Sequence, residues 1–247
     1  MKFLCLPGAY GSAKNFEAQL GPICQELTST SPSTFHFTQG TVKCIPPPGF
    51  ETYFGPGPHY RFVEYDGISQ NDVLERVRDF PEGENAEDVL RELMPEGSGD
   101  VRRSMKEALQ AVYQTMETDG PFDGIFAYSE GAVVASTLIL DEARRYEAEG
   151  REPQIKAAVF FSGWPPVLPD SNQMVLVDEC EALIDIPTCH VVGAGDPYLP
   201  GSMALFNVCN EDSARLFDHG KGHTLPRGAR TIEELGGVIR DMTEECG

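Results

Sequence analysis

Phe122-Asp-Gly-Ile-Phe-Ala-Tyr-Ser-Glu-Gly-Ala-Val-Val-Ala-Ser136 is the stretch on which the reading of this chain turns. Residues 125–128 form a short apolar strand that runs into Ser129, and a helical pattern begins directly after it. A serine on such a strand-to-helix turn is held on a sharp bend with its hydroxyl exposed at the sheet edge. The bend admits only small residues two places before and two places after the serine, since larger side chains collide across the turn. Ala127 and Gly131 occupy those places, and with only Gly and Ala counted as small, no other serine of the chain is flanked in this way. Glycine at both places is the usual pattern, but Ala127 still satisfies the steric requirement. Ser129 is therefore expected to be a nucleophile. The alternative is a buried serine at an ordinary strand end.

Outward from this centre, strands and helices alternate. Strands are expected at 2–6, within 35–45, and at 125–128, 157–162, 187–192 and 214–217. Helices are expected at 13–27, with Phe16, Leu20, Ile23 and Leu27 on one face, and at 101–118, with Met105, Leu109, Val112 and Met116 on one face. Further helices are expected at 130–148, 201–208 and 231–244. Short apolar strands alternating with helices predict an α/β fold with a mostly parallel sheet covered on both faces. Residues 46–99 break the rhythm, with Pro-Pro-Pro-Gly, a second Pro/Gly cluster at 55–58 and six aromatic residues interspersed between 50 and 65, among them Tyr53, Phe54 and Tyr60. An irregular insertion of this length is usually functional, and this one is expected to serve as a lid or pocket lining, or else to anchor its rings on the core.

The 247 residues can form one α/β domain, 1–247, with a substantial core. The apolar run at 132–140 is interrupted and far shorter than the roughly 20 residues of a membrane helix, so no membrane insertion is expected. The start, Met-Lys-Phe-Leu-Cys-Leu-Pro-Gly, reads as a core strand rather than a secretory signal. Seven cysteines, widely spread and without a C-x-x-C pair, point to a reduced, cytoplasmic location. Thirty-nine acidic against nineteen basic residues give a net charge of −20, which repels nucleic acid and anionic membrane. Much of this charge is expected on solvated segments such as 81–96 and 142–152.

A serine hydroxyl needs a histidine base oriented by a carboxylate, and in a sheet of this kind the order is serine, acid, histidine, each beyond the carboxyl end of a strand. His36 and His190 lie inside apolar strand patterns, and His59 precedes the serine. His219 and His223 follow the last strand. The Gly220-Lys-Gly222 loop favours His223, with His219 as runner-up. Asp196 lies just past a strand in Gly-Ala-Gly-Asp-Pro. Asp185 is at the wrong end of that strand, and Asp170, after an earlier one, is the runner-up. The oxyanion needs two backbone N–H donors, expected from Glu130 and from Ala9 in the turn after the first strand, with Tyr10 the weaker choice. The Glu130 side chain is expected to point into solvent. Tyr10, Tyr53, Phe54, Tyr60 and Trp164 are candidate pocket residues, and core packing is the alternative for Trp164.

Gly8-Ala-Tyr-Gly11-Ser lacks the Gly-Lys-Ser/Thr ending of a phosphate loop, and Gly193-Ala-Gly195 lacks the third glycine of a dinucleotide turn. No His-Glu-x-x-His or paired Cys/His spacing supports a metal, and no cofactor is expected. A catalytically inactive binding protein that keeps the fold remains the non-enzymatic alternative.

With these residues in place the chain resembles the serine hydrolase FSH family of α/β-hydrolases, which includes the human ovarian-cancer-associated hydrolase and many fungal enzymes. The resemblance is carried by Phe3-Leu-Cys-Leu-Pro-Gly8, Phe122-Asp-Gly, Tyr128-Ser-Glu-Gly-Ala132, Ile186-Pro-Thr, Gly-Asp196 and Gly222-His223-Thr-Leu-Pro226. It implies a nucleophile, acid and base at Ser129, Asp196 and His223. The family's usual His-Gly after the first strand is departed from at Pro7, so the hydrogen bonding of that loop must differ. The Ser-Glu-Gly-Ala motif resembles fungal thioesterases that release a polyketide acyl chain from a synthase carrier domain, which implies such a domain as partner. The alternative is a general carboxylesterase acting on a small free ester or thioester. The acidic surface opposes carrier docking unless a basic patch, at Arg102, Arg103 and Lys106 or at Arg227 and Arg230, overcomes it.

Overall fold

The computed structural model describes residues 1–46, 48, 54–64, 83–93, 99–171, 173–179 and 183–244. In chain order the elements are β1 (Lys2–Leu6), α1 (Ala13–Thr30), β2 (Thr34–Phe37), β3 (Val42–Cys44), β4 (His59–Arg61), α2 (Ala86–Leu93) and α3 (Gly99–Asp119). There follow β5 (Gly124–Tyr128), α4 (Glu130–Glu149), β6 (Ala157–Phe161), β7 (Thr188–Val192), α5 (Leu199–Asn207), β8 (Ala214–Asp218) and α6 (Ala229–Glu244).

Six strands form one sheet in the order β2-β1-β5-β6-β7-β8, and every neighbouring pair is parallel. Side chains alternate between its faces because the strand period is two. Leu4, Leu6, Ile125, Ala127, Ala158 and Phe160 join one core with the apolar faces of α3 and α4. Phe3, Cys5, Phe126, Val159, Phe161 and Val191 join the other, with α1 and α6. Burial on both faces explains why these strands read as continuous apolar runs rather than alternating ones.

From β1 the chain first steps outward to β2, and it later returns on the other side of β1 as β5. The strand order therefore reverses between β1 and β5, and the crevice outside their carboxyl ends is where open sheets of this kind bind ligands. The β1–α1 turn and Ser129 flank that crevice.

The region expected to be one strand within 35–45 is two elements. β2 joins the main sheet, whereas β3 pairs antiparallel with β4 as a separate hairpin. The insertion 46–99 also carries regular structure among its described residues, namely β4, α2 and the start of α3. α2 is capped by Asn85, whose Oδ1 accepts the Asp88 N–H at 2.8 Å. Its Glu87 is buried and accepts from Asn207 Nδ2 at 2.9 Å, an exception to the largely solvated charge expected on 81–96. Glu142 is the corresponding exception in 142–152. It is buried, and its carboxylate accepts the N–H groups of Gln154 at 3.1 Å and Ile155 at 3.3 Å. No helix among the described residues is long and apolar enough to cross a membrane.

Candidate active site

Ser129 leaves β5 at φ 51° and ψ −117°, a conformation sparsely populated for a side-chain-bearing residue. Its N–H still reaches across to Phe161 O at 2.9 Å, and its carbonyl accepts the Ala132 N–H at 2.9 Å, so the sheet ladder ends and α4 begins at this one residue. A Cβ on Gly131 would lie 2.4 Å from Pro7 O and 2.6 Å from Leu6 O. The glycine is thus required by the approach of α4 to the end of β1, rather than by a collision across the elbow itself.

Asp196 lies beyond β7 and is sealed off, its side chain 1% exposed, whereas that of His223, beyond β8, is 22% exposed. The two loops pack directly on each other. A Cβ on Gly193 would lie 2.0 Å from Lys221 O, and the Gly195 N–H donates to the same carbonyl at 3.0 Å. His223 Nδ1 lies 2.8 Å from Asp196 Oδ2, and His223 Nε2 lies 3.2 Å from Ser129 Oγ. A carboxylate can only accept, so Nδ1 carries the proton and Nε2 presents its lone pair to the serine hydroxyl. The other carboxylate oxygen of Asp196 accepts the Tyr198 N–H at 2.8 Å. Burial pushes the Asp196 pKa up, but the hydrogen bond and charge of His223 and the Tyr198 N–H outweigh it and hold the group below its ordinary value. The buried Ser162 hydroxyl also favours the carboxylate, although its geometry falls short of a hydrogen bond.

Tyr128, the first residue of the Tyr128-Ser-Glu-Gly-Ala132 motif but given no role there, and Tyr198 orient the imidazole. Tyr128 Oη donates to His223 O at 3.0 Å, and the two tyrosine rings lie 5.2 and 4.7 Å from the imidazole. Tyr128 adjoins the elbow, and Tyr198 lies two residues beyond the expected acid, so closeness in sequence was the one signal available.

The Gly8 carbonyl accepts the Gly11 N–H at 3.0 Å, closing a turn with Ala9 and Tyr10 at its centre and Tyr10 at φ 63°. Such a turn leaves the N–H of its first central residue, Ala9, unused by the turn itself, while the Tyr10 N–H is directed at the Cys44 thiol. A Cβ on Gly8 would come within 3.1 Å of Ser129 Cβ, so the turn lies against the elbow. Glu130 is the first residue of α4, and its N–H has no acceptor within the helix. Its side chain does not reach solvent as expected. It is buried and bonded to the Phe62 N–H at 2.7 Å.

The other candidates separate clearly. Tyr10 packs on Phe54 at 4.8 Å, and Tyr60 bridges Gly11, which places these three beside the turn. Trp164 meets Tyr198 at 6.0 Å and is packed closely enough by α5 that a Cβ on Gly201 would lie 2.3 Å from its Nε1. Tyr53 lies outside the described residues. Asp170 is exposed and pairs with Lys106 at 2.8 Å. His190 is a core residue bonded to Thr188 at 3.1 Å, its pKa lowered by burial to about 3. His219 has both ring nitrogens buried without a hydrogen-bond partner among the described residues. Among those residues no group of His, Cys, Asp or Glu could hold a metal ion.

The model of the serine hydrolase (FSH1) family matches residues 1–235. The chain belongs to that family. It is a serine hydrolase. It is 26% identical to hydrolase phiM of Fungal sp. (strain ATCC 74256), covering 98% of this chain and 95% of the relative. It is 24% identical to esterase FPY3 of Fusarium mangiferae, covering 100% and 98%. The crystal structure of esterase PE8 superposes with a TM-score of 0.54 at 18% identity, covering 98% of this chain and 92% of that one. The FSH1-family chain thus has the α/β-hydrolase fold.

Proposed function

We propose that this serine hydrolase cleaves a small acyl ester or thioester in two steps, with Ser129 as nucleophile, His223 as base and Asp196 as the acid that orients it. The observation that carries the reading is the continuous line Ser129 Oγ, His223 Nε2 at 3.2 Å, His223 Nδ1 and Asp196 Oδ2 at 2.8 Å. His223 takes the Ser129 proton as the oxygen attacks the carbonyl, while Asp196 stabilises the imidazolium that forms. The N–H groups of Ala9 and Glu130 receive the oxyanion. His223 then passes its proton to the departing alcohol or thiol, and a water activated by the same ring releases the acid and restores Ser129. Alanine at Ser129 or His223 is expected to lower kcat on a p-nitrophenyl ester by about 10⁴ to 10⁶, with a smaller loss at Asp196. Near-normal turnover of purified, folded Ser129→Ala would contradict the assignment.

The finer reading, release of a polyketide acyl chain from a carrier domain, rests on the Ser-Glu-Gly-Ala motif alone. Charge favours the free substrate, since the net charge is −20 and two cations of the expected docking patches are paired within the chain. These are Lys106 with Asp170 at 2.8 Å and Arg230 with Glu234 at 2.8 Å. The same acyl group presented on a carrier domain, on CoA and as a p-nitrophenyl ester separates the readings. A marked preference for the carrier form would establish the release enzyme.

A further inference from the structure

Residues 54–64 cross the active-site edge of the sheet as a strap with several fastenings. Asn15 Nδ2 donates to Phe54 O at 3.0 Å, and Glu64 N–H donates to Ser104 Oγ at 3.1 Å. Between these ends His59 Nδ1 is bonded to Tyr10 O at 3.0 Å, and Tyr60 N–H donates to Gly11 O at 3.3 Å. Phe62 N–H donates to Glu130 Oε2 at 2.7 Å. Two fastenings thus lie on the turn at 8–11 and one on Glu130, so a single short segment grips both backbone pieces proposed to receive the oxyanion. The strap is backed by Gly40, where a Cβ would lie 2.1 Å from Arg61 O.

Glu130 is the link on the nucleophile side. A glutamate in the first turn of a helix is ordinarily solvated beside the positive end of the dipole. Here the carboxyl is turned inward instead, and its Oε1 is buried with no hydrogen-bond partner among the described residues.

We propose that the Glu130 carboxyl is a positioning residue for the oxyanion site, tying the nucleophile elbow through Phe62 to the strap that also holds the turn at 8–11. The proposal rests on Ser129 being the nucleophile. The groups facing the carboxyl are Arg61 from β4, Tyr10 from the turn and Cys44 from β3. Burial raises the pKa of Tyr10 and takes that of Cys44 to about 11, keeping both neutral near pH 7. Burial also raises the Glu130 pKa to about 7, against the opposing pull of the Phe62 N–H, Arg61 and the Val63 N–H. An ionised carboxylate in this low-dielectric setting opposes the negative charge that develops on a carbonyl oxygen facing the Glu130 N–H, whereas the neutral acid does not. The strap is therefore expected to serve catalysis best with Glu130 protonated.

The test is kcat and KM from pH 5.5 to 9 on a neutral p-nitrophenyl ester, for wild type, Glu130→Gln, Glu130→Ala and Ser129→Ala. Glutamine keeps a carbonyl to accept the Phe62 N–H and cannot ionise. The ratio of its kcat to that of wild type is expected to rise about threefold or more as pH passes through about 7. Alanine is expected to lower kcat about tenfold to a hundredfold with KM changed less than about threefold, short of the full loss of an oxyanion donor. A ratio independent of pH, or an alanine variant that is less stable yet retains kcat, overturns the proposal. If the alanine variant does not fold, the glutamine ratio decides alone. Turnover by Ser129→Ala would instead sink the underlying nucleophile assignment, so the two failures are distinguishable.

Discussion

At Glu130 the fold keeps a carboxyl group from water with only one of its two oxygens hydrogen-bonded. Burial raises its pKa from 4.5 to about 7. Below 4.5 the group is neutral whether the chain is folded or not, and it does not penalise folding. Between 4.5 and 7 the unfolded chain is ionised while the folded one stays neutral, so stability falls as pH rises, and above 7 the full penalty is present. Glu130→Gln removes this dependence. Its stability relative to wild type, from urea denaturation, is expected to increase between pH 5 and pH 8 by about 2–3 kcal/mol, the cost of burying an amide being the same at both pH values. An unchanged difference between the two pH values would show that the carboxyl is not desolvated. Ser129 holds a different kind of stress, a backbone conformation at φ 51° that costs on the order of 1–3 kcal/mol and persists because its neighbours dictate it.

Those neighbours are elements. Gly131 lets the first turn of α4 rest on the carbonyls that end β1, and an added Cβ would press within 2.4 Å of one of them. Gly131→Ala must push α4 away from β1. It is expected to lower stability by about 1–3 kcal/mol and kcat by about a hundredfold, because a shift near 1 Å misplaces Ser129, the proposed nucleophile. Gly237→Ala in α6, where a Cβ meets only the flexible Arg240 Nη2 at 3.9 Å, is the control and should gain about 0.5–1 kcal/mol. Either result reversed would mean that contact with β1 does not set the elbow. The same elements show what the sequence discloses. β1, β5, β6 and β7 are buried on both faces, so their apolar runs were legible, and α1 and α3 carried clean apolar stripes. β3 and β4 were missed because three-residue strands on a half-exposed hairpin have too few positions to show a period. α2 was missed because of its charge, though Asn85 with Asp88 three places on is a start signal that marks it. Ser129, Asp196 and His223 could be picked out from strand ends and chain order. The inward turn of Glu130 could not, since it depends on residues 54–64 arriving from a distant part of the chain.

Over the whole molecule the dominant quantity is the net charge of −20. A field of this sign lowers the local concentration of anionic substrates and is screened by salt, with a Debye length of about 10 Å at 0.1 M. kcat/KM for an acyl-CoA is therefore expected to rise about twofold to tenfold between 0.01 and 0.3 M salt, while that for an uncharged p-nitrophenyl ester stays nearly constant. Equal salt responses would show that the field does not reach the cleft. The sheet order gives the molecule its other large-scale property. The reversal between β1 and β5 brings the ends of β1, β5, β7 and β8 to one rim, and the side chains of residues 129, 196 and 223 meet there within hydrogen-bond distance. The most direct test of that convergence is covalent: label the folded protein with a fluorophosphonate, digest it, and locate the adduct by mass spectrometry. The account predicts one adduct, on Ser129, formed at neutral pH and lost or greatly slowed in His223→Ala. An adduct on another residue, or labelling undiminished without His223, would contradict it.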